Sequence, residues 1–371
     1  MIQGAELERY LGRVLARPVK VLALRPLKGA IAEGRDPKGF GYGVPLEVEC
    51  LVGGEPKAFV ISRLRPEEGF GHDYPADRAW AALWGHPAYN SLPRHVRSLD
   101  VGFLRRDGEL VSAADAAEFF QLVEKAAGVP YWVDLDRLRG EGPTPTDWER
   151  VEALAAYLAD LHGSKRPAPA LYQRRIRELV GHGECLMGIL DSYPHPYPLL
   201  PPEKCETIER AAVTWRWRLR RMSHRLSRVH GDFHPWNILF REGIDFSLLD
   251  RSRGEWGEPA DDVAALAINY LFFGLLKGPG LAEPFRAFLR RFLSAYLAAS
   301  RDAELLEALP PYFMWRALVV AHPRWYPGIP EPVRVALLKF AGEMGAPAPF
   351  DLGAVERSLG EHPAAVGSRG R

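Results

Sequence analysis

The sequence has few cysteines and almost no excess of charge of either sign. Its three cysteines, Cys50, Cys185 and Cys205, form neither a CxxC pair nor a Cys/His metal-ligand spacing. This argues against a disulfide framework and indicates a reducing compartment. The formal net charge of +1 at pH 7 gives no field that would attract nucleic acid or an anionic membrane surface, so neither partner is expected.

Segments that would insert into a membrane are also missing. The most apolar stretch, residues 263–276, is shorter than the roughly 20 residues that a membrane-spanning helix needs, and we interpret it as a core helix. The first residues, MIQGAELERYLGRVLARPVKV, contain acidic side chains and no uninterrupted apolar core, unlike a signal peptide. The spacing of their apolar residues predicts an amphipathic helix instead. We therefore expect a soluble protein in the cytoplasm.

The first third of the chain is rich in β-strand patterns. A chain of 371 residues is longer than one hydrophobic core usually supports, so two lobes are expected. Strands are predicted at residues 18–26, 44–51, 57–64, 101–106 and 119–125. The second and third strands are joined by a predicted hairpin turn at Gly53-Gly54, and a helix is predicted at residues 75–84.

Helical spacing dominates after Gly128. Helices are predicted at residues 147–163, 171–190 and 205–226. Asp147 is the expected N-cap of the first of these helices. A strand–loop–strand unit is predicted at residues 228–250, before a helical remainder. The expected division is a β-rich lobe at 1–125, a helical lobe at 126–355 and a disordered tail at 356–371.

Three oxygen-bearing side chains stand close together in the strand–loop–strand unit. The segment RVHGDFHPWNILF, residues 228–240, contains Asp232 on a turn and Asn237 five positions later, and Asp250 ends the second apolar run. On a turn, Asp232 is able to accept a hydrogen bond from an incoming hydroxyl group. Carboxylate and carboxamide oxygens are ligands that suit Mg²⁺, which takes its remaining contacts from water and substrate phosphates. The pattern indicates phosphoryl transfer, in which positioning and charge neutralisation do most of the catalysis.

The spacing carries a family resemblance. In protein kinases the catalytic-loop Asp precedes the metal-binding Asn by five positions, as Asp232 precedes Asn237. The loop His230–Asn237, the following Asp250 and the segment GEPADDVA at 257–264 resemble the aminoglycoside phosphotransferase and choline-kinase-like family. The helix segment ALAAYLADLH, residues 153–162, is similar to the family helix that ends in a Leu-His pair.

The resemblance implies a fold and a set of roles. The implied fold class is α+β, a protein-kinase-like bilobal fold with a small antiparallel-β N-lobe that includes a helix and a larger, mostly helical C-lobe. By resemblance, Asp232 is the catalytic base or the residue that orients the acceptor hydroxyl. Asn237 and Asp250 would hold Mg²⁺, with ATP or GTP as the phosphoryl donor. His230 and Asp262 would support the loop, and His234 would either support it or contact phosphate.

Candidate nucleotide contacts lie nearer the N-terminus. Gly39, Gly41 and Gly43 belong to a glycine-rich segment whose backbone N–H groups are able to cover phosphates, although such a segment is also typical of a plain connection. A kinase needs a cation on a small-lobe strand. Here the strand offers no Lys at the usual place, so Arg63, paired with Asp77, is the candidate. Residues 122–128 resemble the interlobe hinge, where the backbone of Glu124, Lys125 and Ala127 would meet the adenine.

The alternatives differ in chemistry. A kinase-like protein without a phosphate-binding cation would bind nucleotide and remain catalytically silent. The spacing His230-x-Asp232-x-His234 would also suit a zinc-dependent hydrolase, although Asn237 and Asp250 would then have no role. Just past Asp250, Arg251 and Arg253 would either contact phosphate or an acidic substrate, or remain exposed on the loop.

The sequence leaves the acceptor open among antibiotics, amino alcohols, sugars and other metabolites. A polycationic acceptor would need a pocket lined by carboxylates, for which the candidates are Glu283, Asp302, Glu304 and Glu307. A choline-like acceptor would need an aromatic cage, for which the candidates are Tyr312, Phe313, Trp315, Trp325 and Tyr326. Both sets have ordinary structural explanations, as helix surface and as core.

Overall fold

The computed structural model describes residues 2–27, 42–43, 45–66, 69–278 and 280–360. By its internal contacts the chain divides into two compact units, residues 1–123 and 124–371. Of the predicted nucleotide contacts, Gly39 and Gly41 lie outside the described residues.

The first unit contains the predicted amphipathic helix and a three-stranded antiparallel sheet. Its elements begin with helix α1 Gly4–Leu15 and strands β1 Val19–Pro26, β2 Leu46–Val52 and β3 Glu55–Ile61. The strand order is β1-β2-β3, and the predicted turn at Gly53-Gly54 connects β2 to β3 with positive φ angles. Leu7 and Leu11 of α1 pack with Val48 of β2 to form the core of this unit. The three predicted strands and the helix are confirmed.

The remainder of the first unit departs from the prediction in one place. Helix α2 spans Pro75–Ser91, and strands β4 Gly102–Leu104 and β5 Leu110–Ser112 form a hairpin. The strand predicted at residues 119–125 is wrong: these residues have no regular structure, and Phe120 and Leu122 are 92% and 90% exposed. A strand needs a neighbour to pair its backbone N–H and C=O groups. Among the described residues, none pairs with this segment.

The second unit is mostly helical. Its helices are α3 Tyr131–Arg137, α4 Pro145–Gly163, α5 Pro169–Gly181, α6 Leu186–Asp191, α7 Pro202–Leu219, α8 Pro259–Lys277, α9 Phe285–Ser300, α10 Leu305–Ala321, α11 Glu331–Glu343 and α12 Leu352–Gly360. Helix α8 packs between α9 and α10, and α4 packs against α9. Within the described residues α8 alone is long and apolar enough to span a membrane, but 89% of that window is buried inside the protein. The prediction of a core helix here is confirmed.

Three helix predictions need correction. Helix α4 starts at Pro145 with Thr144 as its N-cap, and Asp147 is the third helical residue, whose carboxylate accepts the backbone N–H of Thr144 in a capping box. The helix predicted at 171–190 is two helices, α5 and α6, separated by residues 182–185, which include Gly183. Residues 356–360, predicted to begin a disordered tail, belong to α12, because Val355 and Leu359 of that helix are buried.

Short strands hold the segment that contains the candidate site. Strands β6 Val129–Pro130, β8 Ile238–Phe240 and β9 Phe246–Leu248 form an antiparallel sheet in the order β6-β8-β9. Strand β7 Ser227–Arg228 pairs with β10 Trp256–Gly257. The segment between β7 and β8 is therefore tethered at both ends. Hydrogen bonds also join this segment to the start of α8.

Candidate active site

The loop between β7 and β8 is fixed by one buried carboxylate. Asp262, in the first turns of α8, accepts the backbone N–H groups of His230 and Gly231, both at 2.7 Å. His162, at the end of α4, donates from Nε2 to the same carboxylate at 3.1 Å and accepts from Tyr296 at 2.8 Å. Complete burial acts to raise the pKa of Asp262, but the hydrogen bonds from the His162 side chain and the His230 backbone help to outweigh it, so the pKa is lowered. Asp262 therefore holds the loop as a carboxylate.

The start of α8 is itself anchored by a buried ion-pair network. Glu258 is the N-cap of the helix, and its carboxylate receives the guanidinium of Arg225 at 2.6 Å and the hydroxyl of Tyr172 at 2.8 Å. Arg225 also binds Asp302 at 2.5 Å. Because the network fixes the helix terminus, it fixes the position of Asp262 four residues later.

This network changes the interpretation of the acidic cluster in the sequence. Asp302 is paired with Arg225, Glu304 with His224 at 2.6 Å, and Glu283 with Arg286 at 2.6 Å. Glu304 also lies 3.8 Å from Arg225, so each of these three carboxylates has an arginine nearby. They do not form the carboxylate-lined pocket that a polycationic acceptor would need.

Asp232 follows the tight turn at Gly231, whose φ is +89°. A Cβ atom at Gly231 would lie 3.3 Å from Cβ of Arg253, so both backbone conformation and space favour glycine there. Asp232 is 16% exposed, and its Oδ1 lies 2.5 Å from Nη1 of Arg316 in α10. Its Oδ2 lies 3.5 Å from Nε2 of His234 and 4.0 Å from Nη2 of Arg253. One carboxylate oxygen is thus held by a guanidinium, and the other is more open.

The charge state of Asp232 follows from these neighbours. Burial acts to raise its pKa, but the positive charge of Arg316, followed by contributions from His234 and Arg253, lowers the pKa far below its usual value. Asp232 is therefore a carboxylate at every physiological pH. With so low a pKa it is a weak proton acceptor, better suited to orienting a hydroxyl group by a hydrogen bond than to removing its proton in a separate step.

Asn237 and Asp250 are linked to Asp232 through the backbone. The carboxamide nitrogen of Asn237 donates to the carbonyl oxygen of Asp232 at 3.1 Å, so this hydrogen bond does not use Oδ1. The N–H of Leu249 donates to the carbonyl of Asn237 at 2.9 Å, and Asp250 is the next residue. Asp250 is exposed and has a φ of +51°, a conformation that Asp tolerates. A carboxamide and a carboxylate oxygen at adjoining positions form a donor set that fits a hard cation such as Mg²⁺.

The two histidines of the loop accept hydrogen bonds from backbone N–H groups of the loop itself. Nδ1 of the buried His230 accepts the backbone N–H of Asp232 at 3.2 Å, and Nδ1 of His234 accepts that of Trp236 at 3.2 Å. Within the described part of the chain, no three His, Cys, Asp or Glu side chains form a group that could hold a metal ion. The observed geometry therefore gives no support to a zinc centre at His230, Asp232 and His234.

The two arginines after Asp250 are held by the protein. The guanidinium of Arg251 donates twice to the carbonyl of Val229, at 3.0 and 2.7 Å, and so stabilises the start of the loop. Arg253 lies over the ring of Trp315, 4.9 Å from its centroid. Arg253 thus remains beside Asp232, at 4.0 Å, whereas Arg251 has a structural contact.

The candidate aromatic cage is mostly core. Tyr312, Phe313 and Trp315 are buried in α10, and the face of Trp315 is covered by two guanidinium groups, from Arg253 and Arg316. Tyr326 packs edge-on against Trp236 of the loop, with ring centroids 5.9 Å apart. For Tyr312, Phe313 and Trp315 the observed burial favours the interpretation as core over that of a cage.

The remaining predicted nucleotide contacts are exposed or have local contacts. In the first unit, Gly43 forms a β-bridge with Leu64, Arg63 is exposed, and Asp77 takes part in the capping box of α2, accepting the N–H of Tyr74 at 2.8 Å. In the second unit, Glu124, Lys125 and Ala127 are exposed. The carbonyl of Ala127 accepts a hydrogen bond from Arg241 at 3.4 Å. Their assignment to nucleotide binding stays a prediction.

Sequence reasoning missed two residues of the site, Arg316 and Asp261. Arg316 is 5% exposed and contacts Asp232, Asp261 and the carbonyl of Gly231. A signal was present, because Arg316 is the single charge in the apolar run YFMWRALVV. A charged side chain in a buried helix almost always has a partner. The identity of that partner, 84 positions away in the sequence, was not visible.

Comparison with known proteins agrees with this geometry. The sequence model of the phosphotransferase enzyme family matches residues 104–312, more than half of the chain. No curated protein sequence matches.

Solved structures resemble the chain more distantly. One is an amicoumacin kinase in complex with AMP-PNP, Ca²⁺ and Ami, with 16% identity, a TM-score of 0.41 and coverage of 90% of this chain and 91% of that one. A glucosamine kinase has 20% identity, a TM-score of 0.37 and coverage of 92% and 82%. The choline kinase LicA from Streptococcus pneumoniae has 14% identity, a TM-score of 0.30 and coverage of 95% and 96%. The family match is the stronger finding, and it confirms the predicted α+β, kinase-like fold class.

Proposed function

Because the chain belongs to the phosphotransferase enzyme family, we propose that it transfers the γ-phosphoryl group of ATP or GTP to a hydroxyl group of a small molecule. The single observation that carries this proposal is that hydrogen bonds join Asn237 to Asp232 and to Leu249, the residue just before Asp250, so that the three side chains belong to adjoining segments. They combine an ionised carboxylate with a neutral and an anionic oxygen ligand, which is the set that phosphoryl transfer requires.

Each residue has a defined part in this reaction. Asp232 accepts a hydrogen bond from the acceptor hydroxyl through Oδ2 and so directs its oxygen toward the γ-phosphorus. Asn237 Oδ1 and the Asp250 carboxylate would hold Mg²⁺, which neutralises the charge of the triphosphate when bound. Because the pKa of Asp232 is strongly lowered, the hydroxyl proton passes to the transferred phosphoryl group or to Asp232 only as the new P–O bond forms.

The proposed acceptor is a small hydroxylated molecule. The ion pairs of the acidic cluster indicate how much positive charge this molecule carries. Since Asp302, Glu304 and Glu283 already have cationic partners, we propose an acceptor with few positive charges, such as a sugar or a singly charged amino alcohol. A nucleic-acid acceptor is not part of the proposal, because the net charge of +1 provides no attraction for one.

The proposal is tested by nucleotide binding and turnover. Wild-type protein should show a higher melting temperature with ATP or GTP in the presence of Mg²⁺ than with either component alone. A panel containing glucosamine, ethanolamine, choline, gentamicin and amicoumacin should then identify an acceptor, with ADP or GDP release as the readout. Asp232→Asn should reduce kcat about 10²- to 10⁴-fold.

The matched control is Asp245→Asn, which removes an exposed carboxylate in the turn between β8 and β9. It should leave both binding and turnover unchanged. Nucleotide binding without turnover on any acceptor would favour the catalytically silent alternative. Absence of a Mg²⁺-dependent shift with either nucleotide would contradict the proposal.

A further inference from the structure

We propose that Arg316 is a positioning residue for phosphoryl transfer: it holds one oxygen of the Asp232 carboxylate so that only the other faces the acceptor hydroxyl. The inference rests on the proposed function, in which Asp232 orients that hydroxyl. Arg316 is in α10 and belongs to no part of the sequence pattern around Asp232.

The contacts of Arg316 are directed at a single turn of the loop. Its Nη1 lies 2.5 Å from Oδ1 of Asp232, and its Nη2 donates to the carbonyl of Gly231 at 3.2 Å. The same Nη2 lies 2.6 Å from Oδ1 of Asp261, in the first turn of α8. One guanidinium therefore joins the side chain of Asp232, the backbone before it and the helix that holds the loop.

The orientation of this guanidinium is itself constrained. It lies over the ring of Trp315, 4.0 Å from the centroid, and the side chain of Arg316 is 6% exposed. A planar group held on one face by an aromatic ring and at its edge by three oxygen atoms has little freedom to rotate. An ammonium group at this position would be a point charge without the fork that contacts two sites at once.

The two oxygens of Asp232 are consequently unequal. Oδ1 is engaged by Arg316, whereas the side chains next to Oδ2 are more distant, with Nε2 of His234 at 3.5 Å and Nη2 of Arg253 at 4.0 Å. A carboxylate that is free to rotate would offer its lone pairs to the acceptor in many directions. Fixing Oδ1 gives Oδ2 one direction, and misplacement by about 1 Å at such a site costs roughly 10²-fold in rate.

Stability alone is a weak explanation for this arrangement. Burying an arginine and two carboxylates costs desolvation energy that their attraction roughly offsets, so a buried ion pair contributes little net stability. The Nε atom of Arg316 is buried and has no hydrogen-bond partner among the described residues, which adds a further cost. A role in orienting the Asp232 carboxylate explains the contact between Arg316 and Asp232, which the stability of the fold does not explain.

The kinetic test uses Mg²⁺–ATP hydrolysis, with water as the acceptor, so that no acceptor needs to be identified. We expect Arg316→Gln to lower kcat about 10- to 100-fold while KM for Mg²⁺–ATP changes less than about 3-fold. Arg316→Lys should keep an intermediate rate. Guanidinium chloride, at a concentration far below denaturing, should restore part of the rate of Arg316→Ala, and sodium chloride of equal ionic strength should not.

The control is Arg334→Gln in α11. Arg334 is also a buried arginine, but within the described residues its side-chain hydrogen bonds go to backbone carbonyls, those of Ala321 and Tyr326. This variant should lower the melting temperature without changing kcat of the folded protein. If Arg316→Gln hydrolyses ATP at the wild-type rate, or if its loss of rate matches that of Arg334→Gln, the positioning role is refuted.

A second test does not depend on activity and separates this inference from the proposed function. Melting temperatures are measured for Arg316→Gln, Asp232→Asn and the double variant. Because each single change removes the same contact between Arg316 and Asp232, the double variant should melt several degrees higher than the sum of the two single shifts predicts. Additive shifts would overturn the contact. A non-additive cycle in a protein that hydrolyses no ATP would contradict the proposed function while the contact stands.

Discussion

Removing the carboxylate of Asp262 should both destabilise the protein and inactivate it. In the variant Asp262→Ala, the backbone N–H groups of His230 and Gly231 lose the acceptors that they now have at 2.7 Å. Asp262 is fully buried, so water does not replace the lost carboxylate without rearrangement. Each buried N–H group left without a partner costs about 1–3 kcal/mol. The two together should lower the free energy of unfolding by roughly 4 kcal/mol.

This loss has a measurable size. For a domain of 150–250 residues, 1 kcal/mol corresponds to roughly 2–4 °C, so the melting temperature should fall by roughly 8–16 °C. Calorimetry measures the shift, and ATP hydrolysis measured below the transition reports the loop. Asp245→Ala is the control, since it removes an exposed carboxylate paired with Arg241. If Asp262→Ala melts within about 2 °C of wild type, the loop does not depend on Asp262 and the reasoning fails.

Two further predictions concern other parts of the second unit. Gly128→Ala should destabilise the protein by roughly 2–4 kcal/mol. The φ angle of Gly128 is +136°, and the new Cβ would lie 2.9 Å from both Cβ of Leu239 and the carbonyl oxygen of Phe240. Chemical denaturation measures the change in the free energy of unfolding, and a value below about 0.5 kcal/mol would contradict the strain argument. Burial, with the charges of nearby arginines, lowers the pKa of His322, so the unfolded chain takes up its proton at higher pH than the folded protein does. The stability that His322 contributes is present above its usual pKa of about 6.5 and is lost as the pH falls below it. The melting temperature should therefore drop less between pH 7 and pH 5 in His322→Gln than in wild type, and equal drops in both proteins would show that His322 does not titrate in this way.

The proposed role of Asp232 has a consequence for pH dependence of the reaction. Since the pKa of Asp232 is far below its usual value, this carboxylate does not titrate near neutral pH. Any change in rate between pH 6 and pH 9 must therefore arise from the nucleotide, the acceptor or another side chain. A hydroxyl-orienting carboxylate, rather than a base with a pKa near 7, is consistent with this electrostatic setting.

The local features of the site were predictable from the sequence because short-range hydrogen bonds create them. The interval from Asp232 to Asn237 closes through a hydrogen bond between those two residues, and the positive φ of Gly231 belongs to the turn before them. The strands β1 to β3 are set by alternation and by the Gly53-Gly54 turn. The apolar run of α8 required burial on all sides, and the structure provides it.

Pairings over long sequence distances were decided only by the tertiary structure. Residues 119–125 have the local pattern of a strand but no neighbour to pair with. In the sequence Asp302 is a candidate for an acidic pocket, whereas in the structure it forms an ion pair with Arg225.

The same holds for the orientation of the catalytic-loop carboxylate. Arg316 reaches Asp232 across 84 positions because α10 packs against α8, whose first turn holds the loop. The sequence by itself was enough to predict which side chains lie together in the candidate site, since their spacing is local. The packing of the helices determined which oxygen of Asp232 is free, since that depends on a charge supplied from another part of the chain.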